Sequence, residues 1–246
     1  MTDITTQREA PLPKIVPMLL SFVAGYVDSY TYLALFGLFA AQVTGSFVIA
    51  GAEFITRDYG IAGKLLAIVA FVLAAAITAA LIGVARNTGR TALPLMLALE
   101  AALLAIFTAM LLFGPTIQNA RDWHGIIAGL VAASAMGAQS VLVRLLMKGI
   151  PQTNVMTGNM TQLGIETTEL IRAWRRQARE PDEAHVHDFL AVRARLSVVL
   201  SITIGFILGA VGGAAAFAKA GLPGIPLAVL LVGALTVWAI RHEQVA

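Results

Sequence analysis

Six stretches of this chain, residues 17–36, 65–85, 92–113, 123–143, 197–217 and 222–240, are apolar and close to the ~20 residues that a helix needs to cross ~30 Å of hydrocarbon. Lipid offers a backbone no water to bond, so such stretches are read as helices that satisfy their own N–H and C=O groups. Composition agrees. Charged residues make up 13% of the chain and hydrophobic ones 58%, with a mean hydropathy of +0.81, against roughly 25% charge in an ordinary soluble domain. The expected fold is an all-α membrane protein with six transmembrane helices. Residues 1–16, polar and carrying Arg8, Pro11, Pro13 and Lys14, read as a cytoplasmic tail. They run into an apolar stretch too long for a cleaved signal, so 17–240 reads as one polytopic membrane domain. The chain contains no cysteine, which excludes disulfide frameworks, thiolate zinc sites and thiol nucleophiles. Its basic residues stand at the ends of apolar runs, and that spacing excludes a nucleic-acid surface.

Two further segments fit no simple span. Residues 43–55 are apolar but short, with Gly45 and Gly51 inside; residues 154–170 hold Thr157, Asn159, Thr161, Gln162, Glu166 and Glu169. A helix as polar as the second is poorly tolerated against lipid, so both are expected as broken or re-entrant elements, buried by protein. They occupy corresponding places in an internal repeat. Gly25 and Gly137 lie 112 positions apart, and Thr44 and Thr157 113 apart, the extra residue falling at Gly149-Ile150-Pro151. The expected layout is two three-span repeats, 17–113 and 123–240, each interrupted once. With three crossings per copy, the second enters from the opposite side, an inverted repeat of the kind found in secondary transporters.

Charge placement orients this layout. With the N-terminus inside, all 17 basic residues except Arg57, Lys64, Arg121 and Lys219 fall on the cytoplasmic side, as the positive-inside rule requires. Both termini are expected in the cytoplasm. An eight-crossing alternative orients the termini identically, so the choice between the two rests on segment polarity.

The candidate chemistry lies in two acids and two turns. Asp28 and Glu100 fall near the middle of the first and third spans, where an ionised carboxylate costs a few kcal/mol and needs a partner or a proton. Each reads as a proton or cation site, or else as a structural carboxyl bonded to a neighbouring helix. Gln42, Thr44, Gly45 and Ser46 form one turn, and Thr157, Gly158 and Asn159 the other. Glycine permits a broken helix and the side-chain oxygens could hold an ion or small solute near the midplane, with Gln139 and Ser140 lining the same cavity. The plainer alternative is that the glycines permit close packing and the hydroxyls bond back to their own helix.

Gly25-x-x-Asp28 followed by Thr44-Gly45-Ser46, and Met136-Gly137-x-Gln139 followed by Val155-Met156-Thr157-Gly158-Asn159, resemble the YoaK family of bacterial inner-membrane proteins. The resemblance covers about 17–240. It implies a six-span inner-membrane protein whose domain has no established activity. Members of that family usually carry Thr-Gly-Asn in the first copy, where this chain has Ser46.

Gly205, Gly209 and Gly213, spaced by four, make one smooth helix face, for packing within the chain in preference to a homodimer. Residues 170–179, with Trp174 among Arg172, Arg175, Arg176 and Arg179, read as an interfacial helix meeting anionic lipid. His185 and His187 are expected in a solvated loop without metal. No metalloprotease, serine-hydrolase or phosphate-loop motif is present, and neither an enzyme nor a cofactor is expected. The leading expectation is a small-solute transporter or permease with its site at the paired broken segments. The alternative is a non-transporting scaffold or sensor that uses the arginine-rich loop 172–195.

Overall fold

The computed structural model describes residues 13–56, 60–180 and 182–243, and all its regular elements are helical. They are α1 (Ile15–Ala34), α2 (Val43–Thr56), α3 (Ile61–Asn87), α4 (Ala92–Phe113), α5 (Trp123–Leu146), α6 (Met156–Arg179), α7 (Glu183–Ala220) and α8 (Pro226–Glu243), with a short 3₁₀ turn, Leu222–Gly224, before the last. Five segments, α3, α4, α5, α7 and Leu222–His242, are long and apolar enough to cross a membrane. Helices of this kind fit a multi-pass membrane protein. The first expected span, α1, is the least apolar of the six. Ser21, Asp28, Tyr30 and Thr31 are spent inward, where all four are buried.

Small residues decide who packs on whom. A Cβ at Gly205 would come within 2.5 Å of the Met18 carbonyl oxygen, and Cβ atoms at Gly209 and Gly213 would strike the carbonyls of Phe22 and Tyr26. Both helices advance by four residues in the same order, so α1 and α7 lie parallel in near-backbone contact. The glycine face is therefore filled within the chain. On the other flank, Gly63 faces Ile126, Gly137 faces the Phe71 backbone, and Arg86 Nη2 donates to the Leu145 carbonyl at 2.9 Å, making α3 and α5 parallel. In contrast, Gly129 faces Leu35 and Leu38 while Gln139 Nε2 donates to the Leu20 carbonyl at 2.9 Å. Helices α1 and α5 therefore run in opposite directions. Tight turns join α3 to α4 and α7 to α8, and the start of α5 returns to the end of α4 through the 2.8 Å hydrogen bond between His124 Nε2 and the Met110 carbonyl. Helices α1, α4 and α7 thus point one way and α3, α5 and α8 the other.

After α1 the chain does not continue outward. Leu35 and Gly37 donate back to Thr31 and Tyr32, and positive φ at Phe36 (54°) and Gly37 (81°) reverses the chain. Glycine takes such a conformation freely, whereas Phe36 is held in it against its preference. Residues 35–42 then fold back to the depth of Asp28, about 9 Å short of the helix end at ~1.5 Å per residue. Helix α2 leads out again and meets the first turns of α3. The same course recurs after α5: Gly149 (φ 77°) turns the chain, residues 153–154 return to Gln139 and Ser140, and α6 leads out along α7.

Three expectations are corrected here. The Thr-Gly positions are not breaks: Thr44-Gly45 and Thr157-Gly158 form the first turns of unbroken helices, and the non-helical links precede them. Residues 154–170 are buried by protein on one face only, at Asn154, Asn159 and Glu166, while Thr157, Thr161, Thr167 and Thr168 are all exposed. Thr161, Thr167 and Thr168 bond to the carbonyls four residues back in α6, which satisfies them locally. Finally, the expected loop 172–195 is largely helical: α6 runs to Arg179 and α7 starts at Glu183. His185 and His187 lie in α7, whose first turn is capped by Asp182 accepting from the N–H groups of Ala184 and His185.

Candidate functional site

Where the two folded-back links meet, they form a buried polar cluster. Asp28 accepts from the N–H of Ala41 at 2.6 Å (Oδ1) and of Gln42 at 3.0 Å (Oδ2), so both carboxylate oxygens hold the first link. In the second link Asn154 Nδ2 donates to Ser140 Oγ at 2.6 Å, and Gln139 Nε2 donates to Thr153 Oγ1 at 2.8 Å. Ser140 stands 112 positions after Asp28 and Asn154 113 after Ala41, so the same clasp is built twice. A carboxylate gripping backbone does the work in the first copy, a hydroxyl gripping a carboxamide in the second. The two links also touch: Asn154 Nδ2 lies 3.3 Å from the Ala41 carbonyl. Ser21 Oγ shares its proton between the carbonyls of Thr153 and Ile202, both at 2.8 Å. Two acceptors in the cluster, Gln139 Oε1 and Asn154 Oδ1, are buried with no hydrogen-bond partner among the described residues. A buried polar atom left unpaired is costly, so this cluster has acceptor capacity to spare.

The other candidate residues separate around it. Thr44 and Thr157 are exposed; Ser46 is buried and bonds to the Phe39 carbonyl at 3.4 Å; Gly45 lies under the Phe39 ring. Gly158 and Asn159 line a groove of about 650 Å³ whose floor is the second link, Gly149–Gln152, and whose walls are α6, α7 and Lys14. Asn159 Nδ2 ties α6 to that floor by donating to the Gln152 carbonyl at 2.7 Å. Glu100 does not join. It is fully buried in α4, which packs between α5 and α8, and neither carboxyl oxygen has a hydrogen-bond partner among the described residues.

Four residues of consequence were passed over as mere charges. Glu53 of α2 pairs with Lys64 of α3 at 2.6 Å, and Glu166 of α6 pairs with Arg195 of α7 at 3.2 Å. Glu53 and Glu166 lie 113 positions apart, the separation of the two threonines. That coincidence was the available signal. Lys64 also donates to the Phe36 carbonyl at 3.2 Å and lines a much smaller cavity, about 20 Å³, with Leu38, Gly60 and Ile126.

The family model described as Protein of unknown function (DUF1275) matches residues 16–238. No curated protein and no solved structure matches the chain.

Proposed function

The chain belongs to that family of unknown function, and from this premise we propose that it is a small-solute carrier built from two inverted copies of one unit. In this reading α1, α3, α4, α5, α7 and α8 cross the membrane, while α2 and α6 each return to the side they left. The observation that carries it is the doubled clasp, Asp28 on Ala41 and Gln42 and Ser140 on Asn154, made by helices α1 and α5 of opposite direction and joined by Asn154 to Ala41. Packing repeats in the same way: Gly25 of α1 seats on the Phe206 backbone of α7, and Gly137 of α5 on the Phe71 backbone of α3. Folded-back links near the centre of two inverted halves are a common place for a transported solute. We place the solute site at the floor of the groove, lined by Gln152 and Asn159, and the buried cluster of Gln139, Ser140 and Asn154 continues from it along the second link through Thr153 and Asn154. Its spare carboxamide oxygens suit a small polar solute that can donate hydrogen bonds, or a cation.

The membrane is a bacterial inner membrane with both termini cytoplasmic, following the basic residues, and the narrower likeness to YoaK proteins rests on the two motif pairs alone. No enzymatic chemistry is proposed. The exposed Trp174 and Ile171 among the arginines of α6 support a contact with anionic lipid at the same side. They also favour a second reading, in which the α6–α7 hairpin, joined by Arg176 to Asp188 at 3.7 Å, is a docking arm of a scaffold or sensor.

Uptake into proteoliposomes across a panel of small polar solutes and cations separates the two. The carrier reading expects a saturable flux that Asn154→Leu removes while the protein still folds. Absence of flux for every solute, with vesicle or protein binding that depends on the α6 arginines, would replace it by the docking reading.

A further inference from the structure

The two acid–base pairs and the two cavities beside them are not in the same condition. Lys64 is 2% exposed and Arg195 56%, and the cavity beside the first pair is about 20 Å³ against about 650 Å³ beside the second. The first pair is closely packed. A Cβ at Gly60 would meet Lys64 Nζ at 2.7 Å, Ala120 Cβ at 3.2 Å and Glu53 Oε2 at 3.3 Å. The Phe36 carbonyl takes a further proton from the same ammonium at 3.2 Å. Around the second pair the acid is held, since Gln162 Nε2 donates to Glu166 Oε1 at 2.8 Å, yet the guanidinium stands half in the open beside a groove that reaches the second link.

The two places are equivalent by construction. Each holds a glutamate one full unit apart in sequence, carried by the helix that follows a folded-back link. Each glutamate is bound to a base on the next helix. The helices of the two units run in opposite directions, so the pairs stand toward opposite faces of the bundle. We propose that Glu53–Lys64 and Glu166–Arg195 are the two latches of an alternating-access cycle, and that the groove along α6 and α7 is the open vestibule of a state whose other vestibule is closed. This rests on the carrier reading and adds to it which residues gate each side. In the opposite state the Glu166–Arg195 pair becomes buried, the groove shrinks, and the Lys64 side opens. Lys14, Arg195 and Glu166 leave the open vestibule with one excess positive charge, which narrows the choice to a neutral hydrogen-bond-donating solute over a cation.

The chain lacks cysteine, so single reporters can be read without background. Leu38→Cys reports on the small cavity and Gly158→Cys on the groove, each labelled with a small polar maleimide in proteoliposomes opened to both sides. With both pairs intact, the cysteine at 158 reacts fast and the one at 38 slowly. Lys64→Gln is expected to speed labelling at 38 about tenfold and to slow it at 158 about tenfold, the change that a shift of the two states from about 1:10 to about 10:1 produces. The exchanged pair Glu53→Lys with Lys64→Glu is expected to restore both. Faster labelling at 38 with no change at 158, or no change at either, would overturn the proposal and leave the pair a local brace. Flux without this reciprocity would sink the latches and spare the carrier. Reciprocity without flux for any solute would do the reverse, leaving a two-state membrane switch.

Discussion

Helices α2 and α6 begin alike and end in different solvents. Both follow a link that folds back to a clasp, and both carry Thr-Gly in the first turn and a paired glutamate 113 positions apart. Helix α2, Val43–Thr56, exposes Phe47, Val48, Phe54 and Ile55. Those side chains suit lipid. Helix α6 continues for 24 residues and exposes threonines and then arginines, which suit water and headgroups. One backbone plan therefore tolerates two opposite surfaces, because what it conserves is the inner clasp and the ion pair. What α6 adds in length it adds outside the bundle, where the first turns of the 38-residue α7 accompany it.

The harshest way to break the comparison is to separate the units at their glycine seams. Gly209→Leu should remove the folded protein from detergent extracts, since the leucine must occupy the Phe22 backbone, whereas Gly233→Leu, with nothing within 4 Å, should be recovered like wild type. Size-exclusion chromatography of the two extracts decides it. Next come the pairs. Glu53→Gln leaves the buried Lys64 ammonium without its counter-charge and should cost about 3–5 kcal/mol in unfolding measurements. Glu166→Gln, facing a half-exposed guanidinium, should cost less than about 1 kcal/mol. Equal losses would refute the claimed difference in closure. The clasps are milder. Asp28→Asn turns one acceptor oxygen into a donor against backbone N–H groups and should cost about 1–3 kcal/mol, more than Ser140→Ala in the other unit. Thermal unfolding of both variants checks the order. The smallest effect concerns the Thr-Gly turns. Gly45→Ala must push the Phe39 ring, 3.0 Å from the new Cβ, and should cost about 1 kcal/mol; Gly158→Ala, whose nearest neighbour is Val155 at 3.6 Å, should fall within about 0.5 kcal/mol of wild type.

Much of this was legible in the chain. Ala92–Phe113 coincides with the expected third span, and the remaining five expected spans each overlap a helix, because long apolar runs leave few alternatives. The 112 and 113 spacings also pointed to Asp28, Gln139 and Ser140, which do meet at the links. What the chain hid was where each helix begins. Glycine was read as permitting a break, yet a first turn already lacks intrahelical partners for its N–H groups and tolerates it. Equally hidden were the partners of Asp28. They are backbone N–H groups of Ala41 and Gln42, and an alanine carries no mark of such a role. Lys64 was read only as one of the few basic residues outside, since an ion pair's burial depends on contacts no spacing reveals.

The parallel seam between α1 and α7 has a consequence for biosynthesis. Helix α1 emerges first from the ribosome, but the glycines it must sit against follow about 190 residues later, on the order of tens of seconds at ordinary elongation rates. For that interval the least apolar of the expected spans, with Asp28 in it, waits without its main partner. A nascent chain arrested before residue 200 should therefore be held by the insertion machinery or degraded, and commitment to the native bundle falls to one of the last helices made.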